Sequence, residues 1–68
     1  MSKVYLELAE SAFMTWIESR NEFSLLTAYE NVTMAYAVAV NNEDSDLMIE
    51  CYTYQHFLYK MIGRMMMG

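Results

Sequence analysis

Sixty-eight residues carrying nine acids against four bases, for a net charge of −5, make one small domain. That charge balance excludes a binder of the phosphate backbone, which gains affinity by placing Lys and Arg against phosphates. More than half the residues are hydrophobic, 56%, with eight Met and no proline. This is more apolar material than a lone chain of this size encloses, since a domain near this length buries only about 60% of its unfolded surface.

The first predicted helix runs over about 3–20, with Ser2 as its N-cap. Tyr5, Leu6, Ala9, Ala12, Phe13, Trp16 and Ile17 share its apolar side, and Glu7, Ser11, Thr15 and Glu18 lie opposite. Asn21 and Ser24 mark the break: Asn tolerates the left-handed conformation that ends helices, and either residue can cap the next one. So short a connection makes the two helices an antiparallel hairpin.

The second helix, about 24–40, is the one the others must cover. At about 100° per residue, Leu25, Tyr29, Val32, Tyr36, Ala39 and Val40 fall on one face, with Ala28 and Ala35 on its edge. Its C-terminal half is apolar nearly all round because Met34, Ala37 and Val38 occupy the other side. A helix of that kind needs cover on more than one side, and the flanking segments are expected to supply it. The line Ala28, Ala35, Ala39 fits close helix packing within the domain. Met34 to Val40 also alternates large and small residues as a strand does, but four alanines and the lack of a second strand favour helix.

Asn41 to Asp46 contains no apolar residue and reads as a turn, with Asn42 or Ser45 capping a third helix of about 46–65. The acids Glu43, Asp44, Asp46 and Glu50 cluster at its start, where the helix dipole favours negative charge. Leu47, Cys51, Tyr54, Leu58, Met61 and Met65 repeat at four and three, a heptad-like core seam. Gly63 is the point where this helix is weakest.

A second stripe on the third helix, Met48, Tyr52, Gln55 and Tyr59, cannot be satisfied by two short partners alone. Tyr and Met are enriched at interface cores. The stripe reads as a homodimer seam, as intramolecular core or as a surface for another protein, and Trp16 reads first as a core residue and second as an interface anchor; these five residues are the candidate partner-binding set. The fold class expected is all-α, a three-helix domain made of a helical hairpin plus a third helix, with the apolar surplus buried in a homodimeric helical bundle.

No catalytic, cofactor-binding or metal-binding constellation emerges. His56 has no oriented partner and nucleophile in register. Cys51 and His56 project to different faces, too few and too far apart for a zinc site. Cys51 on the seam reads as a small buried hydrophobe, able to cross-link two copies only if their third helices met in register. Asn31-Val32-Thr33 matches a glycosylation sequon, but sits mid-helix. A single Cys and no secretory signal predict the cytoplasm, and no charge-free stretch reaches the roughly 20 residues of a membrane span.

The function expected is binding without chemistry: a small acidic inhibitor or adaptor, of the kind phages and mobile elements carry, that occupies a surface of another protein. Three alternatives stand beside it, the weakest a membrane-surface protein, which would need a basic face that the four scattered bases do not make. An acidic nucleic-acid mimic would present Glu7, Glu10, Glu18 and the acids from Glu43 to Glu50 to a nucleic-acid-binding protein. A structural, self-assembling subunit would need no foreign partner.

Overall fold

The computed structural model describes residues 3–67. They form three α-helices and no strand: α1 (Val4–Ser19), α2 (Glu22–Asn41) and α3 (Ser45–Met67). The fold is a small all-α domain. Both α1 and α3 pack along α2, whereas α1 and α3 meet each other sparsely. The long axis of 37 Å follows from α3, whose 23 residues rise about 1.5 Å each.

The core is narrow. Leu6 and Ala9 of α1, Leu25, Ala28, Val32, Ala35 and Ala39 of α2, and Leu47, Cys51 and Leu58 of α3 are its buried side chains. The face of α2 that enters it is rotated from the one expected. The alanine edge is buried, Tyr29 and Tyr36 are half-buried at the border, and Val40 is 47% exposed. With a neighbour on either side, α2 buries small residues so the backbones can approach, and the phenols keep their hydroxyls near water.

The flanking helices leave the back of α2 uncovered, contrary to expectation. Phe23, Leu26, Met34, Ala37 and Val40 remain exposed there. Two helices packed on the buried stripe cannot also reach the far side, so the apolar surplus of this helix faces outward.

Both connections solve the same problem in the same way. Asn21 has extended backbone and its side chain accepts from the Phe23 amide at 2.9 Å, capping α2. The left-handed residue that closes α1 must therefore be the one before it. Arg20 takes φ 57°, with its amide on the Trp16 carbonyl at 2.6 Å. A non-glycine there is strained, and the Arg20 guanidinium, 4.8 Å from the centre of the Trp16 ring, offsets part of that strain.

At the second turn Glu43 takes φ 53°. Asp44 accepts from the Leu47 amide at 3.1 Å and so caps α3, in place of Asn42 or Ser45. Asn42 instead ends α2, its amide bonded to the Val38 and Val40 carbonyls. At the start of α1, Lys3 occupies the cap position without a side-chain bond, and Ser2 lies outside the described residues. Gly63 does not stop α3, which continues through it to Met67 with Met65 packed on the core.

Candidate functional site

The heptad-like seam of α3 lies against α2. Leu47, Cys51 and Leu58 are buried, while Tyr54, Met61 and Met65 are half-buried around them. Cys51 is fully covered, and burial, then the charges of Glu50 and Asp44, push its thiol up from its ordinary value. A thiol so placed is a poor nucleophile. It is also out of reach of a second copy, which removes the cross-linking reading.

The second stripe divides. Met48 is half-buried against the core, and Gln55 is half-buried because its Nε2 donates to Thr33 Oγ1 at 2.9 Å. The Thr33 hydroxyl donates to the Tyr29 carbonyl at 2.9 Å, which leaves its oxygen free to accept from Gln55. Tyr52 and Tyr59 stand outward, 63% and 64% exposed.

That cross-helix bond fixes an antiparallel register. Three residues on from Thr33 and three back from Gln55, Tyr36 is level with Tyr52. Four residues in the opposite sense put Tyr29 level with Tyr59. Four of the six tyrosines therefore flank one polar bond on a single side of the molecule. Tyr supplies large contact area at low entropy cost and keeps a polar tip, so this side has the composition of a contact surface.

Trp16 does not belong to that side. It stacks on Phe13 at 5.9 Å between ring centres, and Phe13 meets Phe57 and Tyr54 edge-on at 5.6 and 6.2 Å. This aromatic cluster is how α1 and α3 touch. It lies on the flank of α3 opposite Tyr52 and Tyr59.

Next to the cluster, α1 and α3 part to leave an open groove of about 500 Å³ lined by Leu6, Glu10, Glu50, Thr53, Tyr54 and Phe57. Glu50 meets Lys3 across it at 3.7 Å, with both side chains at least half exposed. Burial, then the charge of Glu10, push the Tyr54 phenol up. Sequence reading did not single out this groove or Phe57. The available signal was two runs at helical spacing: Leu6, Glu10, Phe13 on α1, and Glu50, Tyr54, Phe57 on α3.

The acids at the turn serve different ends. Asp44 caps α3, Asp46 sits in its first turn, and Glu50 reaches the groove. Asn31, the sequon asparagine, is within α2 and donates to the Thr27 carbonyl at 3.0 Å. His56 is exposed on α3. No group of three or more His, Cys, Asp or Glu able to hold a metal ion occurs among the described residues. No helix among them is long and apolar enough to cross a membrane.

Comparison of this chain with protein-family models, with curated proteins and with solved structures finds no match. The functional reading therefore rests on the surfaces themselves.

Proposed function

We propose that this chain is a non-enzymatic protein-binding modulator, an inhibitor or adaptor, that meets its target through the tyrosine side of the α2–α3 pair. The observation that carries this reading is the outward pair Tyr52 and Tyr59, each more than 60% exposed, anchored beside the Gln55–Thr33 bond. Monomeric proteins scatter exposed apolar residues singly and rarely group them. Here the two rings sit two turns apart on one helix, with half-buried Met48, Tyr29 and Tyr36 beside them. The Gln55–Thr33 bond beneath them ties α3 to α2 on this side.

The uncovered back of α2, with Phe23 and Met34, adjoins the tyrosine side along the Leu26–Thr33 stripe and is assigned to a second copy of the chain. Self-association is assigned to the face around Phe23 and Met34, and the target to the face of Tyr52 and Tyr59 on α3.

Photo-crosslinking in the native host tests the assignment of the target surface. A benzophenone amino acid is placed at Tyr59, and the same group at Glu18 on α1 serves as control. The reading expects a discrete adduct with one foreign protein from position 59 and none from position 18. Equal, diffuse adducts from both positions would remove it.

A further inference from the structure

The groove between α1 and α3 has a chemistry of its own, distinct from the tyrosine side. Two carboxylates line the groove, Glu10 from α1 and Glu50 from α3, and the aromatic pair Tyr54 and Phe57 makes up the rest of its α3 wall. The two rings are stacked, 6.2 Å between centres and 12° from parallel. Phe57 is 46% exposed although Phe13 covers part of it. The groove thus combines two carboxylates with an aromatic wall.

We propose that this groove receives an apolar segment of a partner protein through a single arginine, with the guanidinium seated between Glu10 and Glu50 and the neighbouring apolar side chains laid over Tyr54 and Phe57. The inference rests on the protein-binding reading above and adds to it a second contact with a stated chemistry.

Charge complementarity selects this occupant. A planar guanidinium pairs with carboxylates through paired N–H donors and also stacks on aromatic rings, where an ammonium does only the first well. Arg20 already makes that ring contact with Trp16 in the same aromatic cluster. The cation now near the acids, Lys3, holds Glu50 only at 3.7 Å and largely in solvent, a pair of the kind worth little. An incoming arginine displaces it at small cost. The polarity of the site also limits the segment to one cation. Lys60 and Arg64 come one and two turns beyond the lining on α3, and Arg20 closes α1 at that same end, so a second positive charge would meet like charges.

The test uses a synthetic helical peptide with one arginine beside a leucine face, and the same peptide with citrulline, its neutral isostere. Binding of each to the full chain is followed by amide chemical shifts. The expected result is tighter binding of the arginine peptide by about tenfold, the worth of two partly exposed ion pairs at about 0.7 kcal/mol each. Its shifts should centre on Glu10, Glu50, Thr53, Tyr54 and Phe57.

The gap should close with Glu10→Gln and Glu50→Gln together. Both are isosteric swaps at exposed positions that leave the fold intact, and an unchanged amide spectrum elsewhere checks this. Equal binding of the two peptides, an unchanged gap in the double variant, or shifts confined to the Tyr52 and Tyr59 side would each overturn the proposal. Those results leave the tyrosine-side reading standing, because the photo-crosslink at position 59 does not depend on the groove.

Discussion

Replacing Tyr52 and Tyr59 together by alanine separates surface from core, and the expected cost follows from their exposure. A fully buried Tyr removes about 150–250 Å² from water. At 63% and 64% exposure, each covers a little over a third of that, about 70 Å². At about 25 cal/mol per Å² the burial is worth about 1.8 kcal/mol per residue. Residual compactness of the unfolded chain lowers this to about 1.3, and the better helix propensity of alanine returns about 0.5. The net cost is about 0.8 kcal/mol each.

Leu58 is fully buried, and its truncation to alanine should cost about 2–5 kcal/mol through lost burial and a cavity. Urea unfolding followed by helical circular dichroism compares the two. The double tyrosine variant should still unfold cooperatively with about 1.6 kcal/mol less stability, and Leu58→Ala should lose more, up to most of the stability of so small a domain. A double variant as unstable as Leu58→Ala would refute the reasoning and return both rings to the core.

Three further outcomes are expected. Gly63→Ala should stabilise the protein by about 0.5–1 kcal/mol, because this glycine sits inside α3 with open space where a Cβ would go; a loss of stability in the same urea series would contradict it. Stability should fall as pH rises past the ordinary thiol and phenol values of 9.0 and 10.0. The folded-state pKa values of Cys51 and Tyr54 are both raised, so the folded state holds protons that the unfolded state releases. Cys51→Ala should remove the earlier part of that fall, and a flat profile from neutral pH to above 10 would count against the burial of both groups. Light scattering over a dilution series should give twice the 8.0 kDa chain mass. Met34→Lys should return the monomer without unfolding α2, since Glu30 lies one turn before it and forms a favourable helix pair; a wild-type chain monomeric at every concentration would end the self-association half of the account.

The three helices were legible because their apolar positions recur at helical spacing and polar turns separate them. The seam of α3 was legible for the same reason, and it packs on α2 as read. Periodicity does not say which part of a broad apolar face is innermost. On α2 the answer is the alanine edge, because close approach of two neighbours favours small side chains over Tyr29 and Tyr36. The turns yielded their caps in part: Asn21, one of the two residues read as able to cap α2, does so, whereas Asp44 caps α3 in place of Asn42 or Ser45. Once Asn21 and Asp44 cap the helices that follow, the strained backbone falls on Arg20 and Glu43, residues with no intrinsic preference for it.

The candidate sites were legible in part. Tyr52 and Tyr59 face outward as the stripe implied, whereas Met48 and Gln55 turn toward α2. That division depends on a bond between residues 22 apart in sequence, which no local pattern contains. Trp16 was legible as a core residue first and an interface anchor second, and the structure packs it against the core in the cluster joining α1 to α3. The groove was missed because it exists only where two helices that do not adjoin in the chain diverge.

The central claim is that Tyr52 and Tyr59 are contact residues for another protein. Calorimetric titration of the protein captured at position 59 against the wild-type chain and the folded Tyr52→Ala, Tyr59→Ala variant tests it most directly. Truncating one tyrosine at the centre of an interface costs about 2 kcal/mol, so the account predicts a Kd weakened by at least about thirtyfold. An unchanged Kd with the variant folded would contradict it.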